Sequence, residues 1–205
     1  MKIGCIIIHT ESCTERKKYV DNLVSFFKDH IEVIVIPGVI SDQVLHNAKY
    51  EKGTILLKGE VGCALAHMNA YKEAIDRKFD YTFIFEDDTE IIIENYSKLF
   101  DIIQNAPVFD VFLLTHVFCF GYNTKIDTTF QYSSLPFGTQ GYYISNEIVK
   151  NFYEEQISQI KKGKLYIADW LYANYKKEKG VPLKLLTTIK NDYLFKHADI
   201  KSLIR

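Results

Sequence analysis

Tyr81-Thr82-Phe83-Ile84-Phe85-Glu86-Asp87-Asp88-Thr89-Glu90 runs from an aromatic and β-branched stretch straight into three consecutive carboxylates. Residues 81–85, with one small polar break, suit a strand covered on both faces of a sheet. The acids then fall at its carboxyl end. Ligands of open α/β sheets bind in the crevice beyond the carboxyl ends of the strands, so Glu86, Asp87 and Asp88 read as a ligand-facing cluster. Adjacent carboxylates repel one another, and a divalent cation is the simplest partner that makes such a cluster favourable.

Upstream, residues 2–8 read as a central strand and His9-Thr10-Glu11 as the loop at its carboxyl end. Ser12 and Glu15 have capping-box spacing, and Tyr19, Val20, Leu23, Phe26 and Phe27 form the apolar stripe of a helix. Arg16 lies in its first turn, where a cation either meets a phosphate or is simply solvated. Residues 33–36 read as a second buried strand closed by Pro37-Gly38. Residues 41–58 are polar and weakly patterned, a loop suited to a binding rim. Gly59-Glu60-Val61-Gly62 opens a helix whose stripe is Val61, Ala64, Leu65, Met68, Tyr71 and Ile75. Glu60, Cys63, His67 and Ala70 share an opposing edge, so Glu60 and His67 lie on one face. His67 there either packs against a neighbouring strand or carries chemistry.

Downstream, residues 94–104 form a helix stopped by Ala106-Pro107, and residues 108–114 a core strand ending at Thr115-His116. Phe118, Phe120 and Tyr122 fall in a loop, where the rings either plug the core or stack on a sugar face. Residues 137–145 are a glycine-flanked turn feeding a strand, and residues 146–155 the helix after it. Asp169 sits near the start of a short helix, where an aspartate is a good N-cap. Residues 183–189 form a last strand, and the tail carries Lys190, Lys196, His197, Lys201 and Arg205. Strands alternating with helices predict an α/β architecture, a mainly parallel sheet flanked by helices.

A chain of 205 residues with 47% hydrophobic content buries a sizeable core as one domain. Its 25 basic and 26 acidic residues leave a net charge of −1, so no global field selects nucleic acid. Residues 111–122 are apolar but fall short of the roughly 20 residues needed to cross a bilayer. The first nine residues read as a strand rather than a secretory leader, and the expected compartment is the cytoplasm. Cys5, Cys13, Cys63 and Cys119 are scattered with no C-x-x-C pair and read as small hydrophobes of a reducing compartment rather than zinc ligands.

Lys58-Gly59-Glu60-Val61-Gly62-Cys63-Ala64-Leu65-Ala66-His67, Ala70-Tyr71-Lys72 and Ile84-Phe85-Glu86-Asp87-Asp88, in this order and spacing, resemble glycosyltransferase family 25, the lipooligosaccharide glycosyltransferases related to collagen galactosyltransferases. Residues 138–145 resemble that family's glycine-tyrosine strand, and Asp169-Trp170 its aspartate-tryptophan pair. In one departure, the family's first strand ends in Asn-Leu before its arginine, and this one in His9-Thr10.

The resemblance implies a GT-A-like single domain over residues 1–205, with a nucleotide-sugar half up to about residue 115 and an acceptor half from about 116. It implies inverting transfer of a hexose, galactose or a related sugar, from a UDP-sugar to a hydroxyl of a lipooligosaccharide, lipopolysaccharide or other surface glycan. Mn²⁺ or Mg²⁺ would neutralise the departing diphosphate. Asp87 and Asp88 would hold it with Glu86 beside them, and His197 late in the chain would complete the shell. Arg16 would meet the diphosphate, and His67 would orient the metal site or the donor. Inversion needs a base across the cleft, first Asp169 and second Glu60. Residues 190–205 would either rest on the anionic inner membrane near a lipid-linked acceptor or form a solvated surface. Two other readings use the same acids: a metal-dependent phosphohydrolase, and a non-catalytic sugar-nucleotide or carbohydrate-binding protein.

Overall fold

The computed structural model describes residues 1–40, 56–115, 118–119, 123–133, 136–137, 140–169, 171, 175, 183–188 and 194–198. The rim expected at residues 41–58 therefore lies outside the described residues except for its last three, as do His116, Phe120, Tyr122, Gly138, Trp170, Lys190, Lys201 and Arg205.

The chain opens with β1 (Ile3–His9), in which Cys5, Ile6 and Ile7 are fully buried. Alternation along the strand sends Ile6 and Ile8 into one core layer and Cys5 and Ile7 into the other, so β1 is covered on both faces. A 3-10 turn at Thr14–Arg16 leads into α1 (Lys17–Phe27), whose Val20, Leu23 and Phe27 are buried. Among the described residues no side chain caps either start, so the Ser12/Glu15 capping box does not form; backbone bonds from Cys13 N to Thr10 O and Arg16 N to Cys13 O shape this turn. β2 (Glu32–Pro37) follows at the sheet edge, only partly buried, rather than as the buried strand its Val-Ile run suggests.

α2 (Lys58–Arg77) returns the chain to β3 (Tyr81–Glu86), where Phe83, Ile84 and Phe85 are fully buried as expected of a central strand. Then come β4 (Thr89–Ile91), α3 (Tyr96–Gln104), β5 (Val111–Leu113), β6 (Phe118–Cys119), β7 (Asn123–Lys125), β8 (Phe130–Ser133) and β9 (Pro136–Phe137). β10 (Gly141–Ser145), α4 (Asn146–Lys161), β11 (Leu185–Thr188) and β12 (Phe195–His197) complete the described elements. Asn95 caps α3 through its side chain, which accepts from Lys98 N, so this helix starts at Tyr96 rather than at Glu94.

The main sheet has the order β2-β1-β3-β10-β5-β11-β8-β7. β1 pairs in parallel with β2 and β3, β10 runs antiparallel between β3 and β5, β11 is parallel to β5, and the β8–β7 hairpin forms the far edge. Only β10 and β8 run against the other strands, but each lies between two strands that it opposes, so four of the seven pairings are antiparallel and the sheet is mixed. α2 and α4 cover one face over Ile6, Ile84, Tyr142 and Ile144; α1 and α3 cover the other over Ile7, Phe83, Phe85 and Tyr143.

Among the described residues two short pairs stand outside the main sheet: β6 with β9, and β12 with β4. Phe195 of β12 is fully buried, its ring centroid 4.8 Å from that of Phe85 and 6.5 Å from that of Phe27. This anchor draws the late chain back beside the strand that carries the acids. Among the described residues no helix is long and apolar enough to cross a membrane.

Candidate active site

The carboxyl ends of β1, β3 and β5 meet the amino end of the antiparallel β10 along one edge of the sheet. There Gln140 O accepts from Glu86 N at 2.8 Å and from Thr89 Oγ1 at 2.5 Å, which fixes the turn bearing the acids. Gly141 is paired directly opposite Phe85, where an added Cβ would lie 2.8 Å from the Phe85 ring, so the close pairing of β10 with β3 requires glycine at this point.

The three acids diverge. Asp87, 4% exposed, turns toward the β1–α1 loop. Its Oδ1 accepts from Arg16 Nη1 at 2.7 Å, and its Oδ2 lies 2.8 Å from Thr10 N and 3.0 Å from His9 Nδ1. The His9-Thr10 pair, the departure from the pattern that this sequence otherwise resembles, thus holds Asp87 together with Arg16. Asp88, equally buried, lies with Oδ2 3.5 Å from the same Arg16 nitrogen. Burial pulls the Arg16 guanidinium down, but the hydrogen bond to Asp87 and the charges of Asp88 and Asp87 outweigh it and hold it above its ordinary value. Arg16 is therefore a buried counter-ion to two carboxylates, and the chain itself supplies part of the positive charge that the acids demand. Among the described residues no acceptor reaches the buried Arg16 Nε.

Glu86 faces the other way, toward α2. Its Oε1 lies 3.1 Å from His67 Nε2 and 3.8 Å from Cys63 Sγ. His67 is 1% exposed; its Nδ1 is 2.7 Å from the Tyr142 hydroxyl, which in turn lies 3.2 Å from the Tyr71 hydroxyl. Burial pushes the Tyr71 hydroxyl well above its ordinary value, the bond with Tyr142 offsets part of this, and neighbouring Cys63 and Asp169 add to it. A continuous polar chain thus crosses the α2 face of the sheet from Tyr71 to Glu86.

The remaining predicted residues fall at different distances from this centre. His197 pairs through its backbone with Thr89, and Ala198 N donates to Asp88 O at 2.7 Å, so β12 brings this part of the tail against the acids. Glu60 is occupied at the start of α2, where its Oε2 accepts from Leu57 N at 2.7 Å. Asp169 is half-buried within a helical turn beside Ala168 rather than preceding it, on the side of Tyr71. Cys63 is not the small hydrophobe that its isolated position suggests: its Sγ, a His67 ring nitrogen and a Glu86 oxygen all lie within 4.8 Å of one another. The signal for this cluster is in the sequence: Cys63 and His67 are four residues apart on one helix. Glu86, by contrast, joins them only through the packing of α2 on β3.

The fold is one found among glycosyltransferases. A glycosyltransferase involved in the glycosylation of the major capsid of PBCV-1 superposes with a TM-score of 0.54 at 12% identity, over 98% of this chain and 95% of that one. S. aureus TarS 1–349 gives 0.50 at 16% identity, over 97% and 60%. A197 from STIV gives 0.50 at 12% identity, over 98% and 96%. Residues 3–170 match glycosyltransferase family 25 (LPS biosynthesis protein), and the chain belongs to that family. A stretch of 50 residues is also 38% identical to human procollagen galactosyltransferase 2, a match that spans 24% of this chain and 8% of the human protein.

Proposed function

We propose that the protein is an inverting, metal-dependent transferase that moves a hexose from a UDP-sugar to a hydroxyl of a bacterial lipooligosaccharide, lipopolysaccharide or other surface glycan. The observation that carries this reading is the buried Arg16–Asp87–Asp88 group at the carboxyl end of β3. Two carboxylates against one guanidinium leave an excess of negative charge on buried hard oxygen atoms, which suits Mn²⁺ or Mg²⁺. Asp88 is the leading ligand, with Asp87 behind it and His197 on the strand alongside. When bound there, the ion supplies positive charge against the departing diphosphate.

The chain's own groups do the rest. Arg16 has an unmet buried donor at Nε, which a phosphate oxygen satisfies, and Asp87 holds the guanidinium in place for it. Glu86 and His67 brace the metal-bearing turn from the α2 side. Asp169 takes the proton of the acceptor hydroxyl, with Glu60 as second candidate; its bond to Leu57 N makes Glu60 the weaker of the two. The donor is bound by the part of the chain up to about residue 115 and the acceptor by the part that follows, and the basic tail rests on the inner membrane near a lipid-linked acceptor.

Incubation of the full chain with UDP-hexoses, a lipooligosaccharide acceptor and Mn²⁺ or Mg²⁺ tests this, read as glycosylated product and released UDP. Transfer is expected, lost on chelation and lowered about a hundredfold or more in Asp88→Asn. In Asp169→Asn donor binding is expected to persist while transfer falls. Phosphate release from simple esters, or UDP-sugar binding without turnover, would overturn the transferase reading. Equal loss of donor binding and transfer in Asp169→Asn would leave that residue a structural role only.

A further inference from the structure

Cys63 and His67 point from the same face of α2 toward the end of β3, where Glu86 completes a trio of one sulfur, one nitrogen and one oxygen atom. Zinc bonds of about 2.0–2.1 Å to nitrogen or oxygen and about 2.3 Å to sulfur put tetrahedral ligand atoms roughly 3.3–3.6 Å apart. The observed separations are 3.1 Å from His67 Nε2 to Glu86 Oε1 and 3.8 Å from Cys63 Sγ to the same oxygen, with every pair inside 4.8 Å. Small side-chain rotations bring the three onto one ion. The donor set differs in kind from the oxygens of Asp87 and Asp88: a thiolate and an imidazole select a zinc-class cation over magnesium or manganese.

The surroundings of His67 supply the support that metal-binding histidines need. Its Nδ1 is 2.7 Å from the Tyr142 hydroxyl, and Tyr142 is 3.2 Å from Tyr71, while the His67 and Tyr142 rings stack at 5.7 Å between centroids. With the hydrogen on Nε2, His67 donates to Glu86 and accepts from Tyr142. With the hydrogen on Nδ1, His67 donates to Tyr142 and Tyr142 to Tyr71, which leaves the Nε2 lone pair facing a carboxylate. A cation between Nε2 and Oε1 makes the second arrangement favourable, and the tyrosine pair holds the ring in it.

We infer that Cys63, His67 and Glu86 bind a zinc-class divalent cation, at a site chemically distinct from the proposed magnesium or manganese site at Asp88. On binding, the Cys63 thiol gives its proton to solvent, and His67 keeps one proton, now on Nδ1. The ion ties α2 to the end of β3 just before Asp87. This inference does not depend on sugar transfer.

Cobalt(II) is the probe, titrated into chelator-treated, desalted full-length chain. One equivalent is expected to produce near-ultraviolet sulfur-to-cobalt absorption and the strong visible bands of tetrahedral cobalt. Cys63→Ser should abolish the near-ultraviolet band, His67→Gln should weaken cobalt binding about tenfold or more, and Asp88→Asn should leave the spectrum unchanged. If Cys63→Ser does not fold, the wild-type chain still decides: one equivalent of Zn²⁺ should protect Cys63 from iodoacetamide, read by mass spectrometry. Absence of the sulfur band in the wild type, its survival in a folded Cys63→Ser, or unaltered Cys63 alkylation with Zn²⁺ overturns the site, whatever the transfer assay gives.

Discussion

Asp87 accepts from three groups that lie 71 to 78 residues away in the chain: Arg16, Thr10 and His9. Removing one partner of a buried ion pair leaves the other charge uncompensated. Asp87→Asn is expected to destabilise the fold by about 3 kcal/mol, near the lower end for such pairs because the amide oxygen still accepts from Thr10 N. Urea unfolding with an unchanged slope and a lower midpoint would show it; a midpoint equal to wild type would mean that Arg16 is adequately held by Asp88. That the cluster matters was legible in three adjacent acids after an apolar strand. Their division of labour was not, because side-chain direction at the end of a strand depends on what the neighbouring loops present. Asp87 turns to the β1 loop and Glu86 to α2.

At the scale of elements, β1, β3 and α2 were readable because long apolar periodicity overrides local ambiguity. The short elements were not. β4 and β12 have three residues each and no pattern of their own. They form because Phe195 packs against both Phe27 and Phe85. The second strand read as buried, yet β2 is an edge strand with Val35 46% exposed, since its composition records propensity and not what covers it. Tight packing also explains Gly4, invisible as a special position in sequence. A Cβ there would lie 2.2 Å from the ring of Phe79, which is fully buried and has no room to yield. Gly4→Ala is expected to cost about 1–3 kcal/mol by overpacking, measured as a lowered thermal or urea midpoint. A variant as stable as the wild type would show that Phe79 repacks.

Across the whole molecule the sheet grades from a doubly covered centre at β1, β3 and β10 to a solvated far edge at β7, whose three residues are all exposed. The turn joining β7 to β8 is held by Asp127, whose Oδ1 accepts from Thr129 N and Phe130 N. The bonds from Thr129 and Phe130 hold its carboxyl below the ordinary value. A depressed carboxyl contributes stability that is fully present above about pH 4 and is lost as pH falls through the lowered value. The amide protons of Thr129 and Phe130 should accordingly titrate by NMR with a midpoint below the ordinary carboxylate value, while amides of β1 and β3 keep their shifts. A midpoint at the ordinary value would show that the turn is not held through the ionised side chain.

The order of apolar runs in the chain determined an α/β sheet covered by helices, because burial of periodic apolar faces is a local property of the sequence. The runs around Gly59–His67 and Glu86–Asp88 likewise carried the family, since they put their chemistry at the start of one helix and the end of one strand. Only the tertiary structure decided which partner each acid takes, that β10 inserts between β3 and β5, and that β12 returns to the acids. Those outcomes rest on contacts between residues far apart in sequence, and no local pattern encodes which distant side chain will fill a given space.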